Sequence, residues 1–215
     1  MEIAIPLFER YTALDAVGPY EVLSRLPGAR VRFLGPEAGR PMTADTGMLT
    51  LVPEAAYEEV PAPDVVLVPG GFGTRALLTD ERLLGWIRGA DAGSTWTTSV
   101  CTGSLLLAAA GLLDGVEATT HWSNRELLAS LGARPVERRV VETGKVMTAA
   151  GVSAGIDMAL VLAARIAGDE VAQAIQLGIE YDPEPPFDAG TPAKAGPRVL
   201  ALARAGEAAQ GDTEA

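Results

Sequence analysis

Thr95-Trp96-Thr97-Thr98-Ser99-Val100-Cys101-Thr102-Gly103-Ser104-Leu105-Leu106-Leu107 is the stretch that decides the fold. Thr95 to Val100 is rich in residues that suit a pleated, half-buried surface, and it reads as a strand. From Thr102 an apolar run reaching Leu113 reads as a helix. Only Cys101 lies between the two, so the strand passes into the helix through a sharp turn. This is the layout of a nucleophile elbow. The thiol faces the first N–H groups of the helix, where negative charge is favoured. A lowered pKa and a reactive thiolate are therefore expected at Cys101. The competing reading is a buried structural cysteine, since free cysteine is among the most buried residue types.

Strand and helix signals alternate on both sides of this elbow. Upstream, Glu2 to Phe8 reads as a buried strand and Asp15 to Arg25 as a helix, with Pro19 near its first turn, where proline is tolerated. Val31 to Leu34 is a second strand, and Met48 to Val52 an arm of a hairpin. Asp64-Val65-Val66-Leu67-Val68 is a continuous apolar strand stopped by Pro69-Gly70-Gly71, and Asp80 to Ala90 is a helix. Downstream come a short strand, Ala118 to Thr120, and a helix, Ser123 to Leu131, with Ser123 as cap and Glu126 three residues on. Val140-Val141 and Val146-Met147 pair around Thr143-Gly144-Lys145, followed by helices over Ser153 to Ala167 and Asp169 to Gly178. Such alternation implies an α/β fold, a doubly wound, mostly parallel sheet with helices on both faces. Residues 1–190 are expected to form this single domain. Residues 191–215 are expected to be a partly flexible extension, frayed from Gly206 to Ala215.

In such sheets ligands bind beyond the carboxyl ends of the strands. The residues expected along that edge are Asp15, Gly70, Gly71, Cys101, Thr102 and His121. Asp15 suits an N-cap, and it also suits a carboxyl that moves protons beside a thiol. Gly71, with the Thr102 N–H, suits donors aimed at developing negative charge, because glycine lets the backbone approach closely. His121 is the only histidine. It reads either as the base of a Cys–His dyad or as a half-buried ring beside Trp122. Asp157, inside a helical apolar pattern, is either a polar group near the site or a buried partner of backbone.

Composition bounds the function. The chain has 215 residues and a formal net charge of −11, which disfavours nucleic acid and anionic membranes as partners. One cysteine allows no intrachain disulfide. The N-terminus lacks the basic and apolar regions of a signal peptide, and no apolar run reaches the length of a membrane span. A cytoplasmic protein is expected. One Cys and one His make no zinc site, and neither a dinucleotide fingerprint nor a phosphate loop is present, so no metal or cofactor is expected.

Pro69-Gly70-Gly71, Ser99-Val100-Cys101-Thr102-Gly103, Ala118-Thr119-Thr120-His121-Trp122 and Ala154-Gly155-Ile156-Asp157 resemble the ThiJ/PfpI superfamily, of class I glutamine-amidotransferase-like fold. The resemblance runs in unbroken order over about residues 1 to 190. It is greatest to the isocyanide-hydrating branch, through Leu14-Asp15 ahead of Gly18-Pro19, the Cys101-Thr102 pair, and Glu180-Tyr181-Asp182-Pro183-Glu184-Pro185-Pro186-Phe187-Asp188-Ala189-Gly190. It implies a flavodoxin-like domain working as a homodimer. Cys101 would attack an isocyanide and Asp15 would manage protons, with Thr102 and the Gly71 backbone completing the site. A covalent thioimidate would be hydrolysed to an N-substituted formamide. Thr102 stands where the intracellular-protease branch has histidine, and Asp15 where the deglycase branch has glutamate. The Cys-Thr-Gly and Thr-Thr-His-Trp motifs also resemble the amidase-like domain of AraC-type regulators, but the chain is too short for a following DNA-binding domain. The alternative to an enzyme is a non-catalytic ligand-binding or redox-sensing module.

Overall fold

The computed structural model describes residues 1–211. They fall into two compact units, one spanning Met1–Ile179 and the other beginning at Glu180. The first carries the sheet. Its elements are β1 (Glu2–Pro6), α1 (Ala13–Leu23), β2 (Arg30–Gly35), β3 (Met42–Thr43), β4 (Thr50–Leu51), β5 (Ala55–Ala56), β6 (Val65–Val68), α2 (Glu81–Gly93), β7 (Trp96–Val100), α3 (Gly103–Ala109), β8 (Glu117–Ala118), α4 (Arg125–Ser130), β9 (Arg134–Pro135), β10 (Val140–Thr143), β11 (Val146–Ala149), α5 (Ala154–Ala167) and α6 (Asp169–Gly178).

Seven strands form the main sheet in the order β10-β11-β7-β6-β1-β2-β5. All neighbours are parallel except β10 and β11, which form an antiparallel hairpin at one edge. The central strands bury both faces. All four residues of β6 and all but the first of β1 are inaccessible, as expected where helices cover both sides of a parallel sheet. One layer is α1, α5 and α6, and the other is α2, α3 and α4. The α1–α5 contact is close because Gly18 meets the Ile156 side chain and Gly155 meets Val100 and Pro19. A side chain at either glycine would crowd these neighbours, at 3.0–3.1 Å.

Several local expectations are corrected. α1 begins at Ala13, so Asp15 lies inside its first turn and is not its cap. α3 ends at Ala109, short of Leu113. The expected strand at Ala118 to Thr120 is β8, which pairs with β9 in a separate two-stranded sheet. Ser123 sits in a 3₁₀ turn ahead of α4 and caps nothing, because its hydroxyl engages His121 Nδ1 and accepts from the Asn124 amide. The arm expected over Met48 to Val52 is β4, two residues long, paired with β3.

The second unit is irregular until α7 (Pro197–Gly211). Fraying was expected from Gly206, yet the helix continues through Gly211. Its alanines, the strongest helix formers, account for that. Residues 212–215 of the expected frayed end lie outside the described residues.

Candidate active site

Four adjacent strands, β11, β7, β6 and β1, run parallel and end at one edge, and each hands the chain to a candidate residue. β7 delivers Cys101, β6 delivers Gly70 and Gly71, β1 leads through a short loop to Thr12 and Asp15, and β11 leads to Val152. The edge includes the point where the chain, after building β1 and β2, crosses back to add β6 on the other side of β1. Ligands of doubly wound sheets bind at such switch points.

Cys101 occupies the turn between β7 and α3 with φ 55°, a left-handed conformation unusual outside glycine. Its backbone is held on every side. Its N–H donates to the carbonyls of Ala149 and Ala150, at 3.1 and 2.8 Å. Its carbonyl accepts from the hydroxyls of Ser104 and Thr120, at 3.2 and 3.0 Å. The turn is tight because α3 starts directly against β6. A Cβ on Gly103 would stand 2.1 Å from the Val68 carbonyl oxygen, so only glycine fits there.

The Cys101 side chain is 5% exposed and Asp15 is fully buried beside it. Asp15 Oδ2 accepts the Gly70 N–H at 2.9 Å. Its other oxygen takes no hydrogen bond from any backbone or hydroxyl donor among the described residues. The carboxyl and the thiol are close enough that each influences the other's protonation. The N–H groups of Thr102 and Val152 are near enough to the sulfur to favour its charged form. Thr102 is tied to β6, with its Oγ1 accepting the Gly71 N–H at 2.9 Å and lying 3.2 Å from the Gly71 carbonyl. Gly71 has φ 134°, and a Cβ there would stand 2.3 Å from the Arg10 carbonyl oxygen.

Electrostatics reverse one expectation. Burial pushes the Cys101 thiol well above its ordinary value, and the charge of Asp15 pushes the same way. The Thr102 and Val152 N–H groups pull it down but do not prevail. Burial likewise pushes Asp15 well above the usual carboxylate range. The Gly70 N–H and the thiol oppose that shift, and the negative charge of Asp45 adds to it. The lowered thiol pKa expected from a helix N-terminus does not materialise. The helix is only seven residues long, and a buried carboxyl shares its site. Burial therefore raises both groups, and two acids this close titrate as one coupled unit.

Gly71 also differs from expectation. Its N–H is engaged by the Thr102 hydroxyl, so in this state it positions Thr102. His121 follows Thr120, whose hydroxyl donates to the Cys101 carbonyl. His121 itself is half-exposed, bonded to Ser123 at 2.8 Å, tilted against the Trp122 ring, and set against Gly151. Asp157 forms an ion pair with Arg139 on the outer side of α5, which is neither of its expected roles. Sequence reasoning missed Val152 and Thr120. Val152 acts through backbone alone and leaves no residue-type signature. Thr120 was visible only as a neighbour of His121. No group of three or more metal-ligating side chains occurs among the described residues.

Known proteins bear on this arrangement. The sequence profile of the DJ-1/PfpI family matches residues 1–165. Isonitrile hydratase of Pseudomonas putida is 47% identical over 204 residues, covering 95% of this chain and 89% of that protein. The transcriptional regulator GbdR of Pseudomonas aeruginosa is 33% identical over 84% of this chain, which spans 50% of the regulator's length. The crystal structure of a ThiJ/PfpI family protein from Pseudomonas syringae superposes with a TM-score of 0.92 at 38% identity, covering 98% of this chain and 87% of that one. With its buried thiol–carboxyl pair at a strained strand-to-helix turn, the chain belongs to the DJ-1/PfpI family.

Proposed function

We propose that this protein hydrates isonitriles (isocyanides) to N-substituted formamides, with Cys101 as nucleophile and Asp15 as proton carrier. The single observation that carries the reading is a thiol and a carboxyl buried together and influencing each other's protonation. The terminal carbon of an isonitrile, R–N≡C, is bonded to nitrogen alone. Adding a thiol to it forms a C–S bond and a C–H bond on the same atom. Sulfur and an acid must therefore reach one point together, and the joint burial of Cys101 and Asp15 supports that pairing. The 47% identity to an isonitrile hydratase supports the same chemistry.

The steps balance as follows. The sulfur attacks the carbon, and the pair's proton moves to that carbon, giving the thioimidate Cys–S–CH=N–R. Water then attacks the same carbon. Asp15, now a carboxylate, takes a proton from this water and passes it to the imine nitrogen, which leaves Asp15 ionised again. The tetrahedral intermediate, Cys–S–CH(OH)–NH–R, expels the sulfur, and the hydroxyl proton returns to the thiol–carboxyl pair. The product is R–NH–CHO. The Thr102 and Val152 N–H groups stabilise the sulfur as it leaves with negative charge. The nucleophile-elbow reading rests on the strained Cys101 turn, and no step requires a metal or cofactor.

Incubation with a simple alkyl isonitrile should yield the formamide, and an adduct should appear on Cys101 in intact-protein mass spectrometry. Cys101→Ala should lower turnover by about 10⁴-fold or more, as removal of other nucleophiles does. His121→Asn should keep most activity. Turnover that survives in Cys101→Ala sinks the reading.

The same reading makes the protein a cytoplasmic homodimer, with nucleic acid and membrane absent from its partners. Its acidic charge supports this, and no described helix is long and apolar enough to cross a membrane. A twofold pair is the commonest closed assembly. Light scattering at micromolar concentration should give twice the 22.3 kDa chain mass, and a mass of one chain refutes the dimer.

A further inference from the structure

The segment from Glu9 to Thr12, between β1 and α1, is gripped by the β3–β4 hairpin. The Glu9 carboxylate accepts the Thr43 N–H at 3.1 Å, and the Arg10 N–H donates to the Thr43 carbonyl at 2.7 Å. Tyr11 makes a parallel bridge with Ala44. Asp45 holds the next two residues. Its N–H donates to the Tyr11 carbonyl at 2.9 Å, and its Oδ2 accepts the Thr12 hydroxyl at 2.5 Å.

Thr12 is the hub of the corner that holds Asp15. Its N–H donates to the Gly70 carbonyl at 2.8 Å, and its carbonyl accepts the Asp15 N–H at 3.1 Å. The Gly70 N–H returns to Asp15 Oδ2 at 2.9 Å. Thr12, Gly70 and Asp15 thus form a closed ring of hydrogen bonds. The Thr12 hydroxyl is the handle that leaves this ring, and Asp45 holds it. Thr12 stands at the N-cap of α1, yet its side chain makes no capping bond, because the hydroxyl is turned to Asp45.

We propose that Asp45 is a positioning residue for the thiol–carboxyl pair, clamping Thr12 so that the first turn of α1 presents Asp15 to Cys101. The proposal rests on the hydratase reading for its catalytic consequence, but not for the clamp itself. The carboxylate has a second effect. Its negative charge opposes ionisation of Asp15 and so keeps the proton in the pair. The other ionisable groups at this corner are Glu9, Arg10, Cys101 and the buried Tyr11, whose phenol is pushed up to about 12 by burial and by Asp45. Clamp and charge act through the same side chain and separate by mutation.

The test uses the whole protein and two readouts, isonitrile turnover and the pH dependence of Cys101 alkylation by iodoacetamide, with Asp15→Asn as reference. Thr12→Val removes the clamp and keeps the charge. It should lower kcat about tenfold with little change in KM, and move the alkylation midpoint part of the way towards that of Asp15→Asn. Asp45→Asn keeps an acceptor for Thr12 and removes the charge. It should keep kcat within about threefold of the parent while moving the midpoint to lower pH by roughly half a unit. Thr12→Val with parental kcat and midpoint overturns the clamp, and Asp45→Asn with a parental midpoint overturns the charge effect. Should the parent turn over no isonitrile, the hydratase reading falls and the alkylation midpoints still decide the role of Asp45.

Discussion

At the scale of single residues, the site holds a carboxyl where a buried carboxyl is costly. Asp15 is fully buried and binds its proton more tightly in the folded protein than in the unfolded chain. The native state therefore carries more protons than the unfolded state above the unfolded pKa. Stability falls as pH rises from about 4 towards the raised native value. Asp15→Asn keeps an oxygen for the Gly70 N–H and removes the ionisation. At pH 7 it should raise Tm by roughly 2–4 °C, about 1 kcal/mol for a domain of this size, while cutting turnover by about 10²-fold. A lower Tm would show that Asp15 is held for stability. Cys101 follows a similar logic in its reactivity. Peroxide attacks the thiolate, and burial that raises the thiol's pKa lowers the thiolate share at a given pH. Dilute peroxide should therefore oxidise Cys101 no faster than a free cysteine at the same pH, as read by intact mass. Rapid conversion to sulfinic acid would show that the thiolate is the resting form.

At the scale of elements, tight backbone approaches set what each turn tolerates. Gly103 opens α3 against the Val68 carbonyl, whereas Gly89, on the exposed side of α2, has open space around it. Gly103→Ala should destabilise by about 3 kcal/mol or more and Gly89→Ala should stabilise by about 0.5–1 kcal/mol, measured by urea unfolding. Equal effects at the two positions would refute the steric account. The elements that position the site were the ones most legible in the sequence. Asp64 to Val68 announced β6 by an unbroken apolar run with a Pro-Gly-Gly stop. The passage from Val100 to Thr102 left no room for anything but a sharp turn. Asp80 signalled α2, and its carboxylate accepts from the N–H groups of Arg82 and Leu83. Legibility ended where tertiary partners overrule local chemistry. Ser123 is a good cap by type, but His121 and Asn124 engage its hydroxyl. Thr12 is likewise turned away from α1 by Asp45. The sign of the Cys101 shift was out of reach for the same reason. It depends on how deeply Asp15 and the thiol are buried together, and residue type does not encode depth.

At the scale of the whole molecule, the site exists only because four parallel strands end side by side. Asp15, Gly70, Cys101 and Val152 lie far apart in the chain, and β1, β6, β7 and β11 bring them to one edge. During synthesis these parts emerge in order. The carboxyl and the Gly70 turn come first, then the thiol, and the strand that braces it comes last. The Cys101 N–H has no partner in Ala149 and Ala150, and the sulfur has none in Val152, until β11 has docked beside β7. A ribosome carrying this polypeptide past Cys101 thus exposes an ordinary, solvent-bathed thiol. The bracing of the Cys101 backbone is complete only once the closing hairpin has docked.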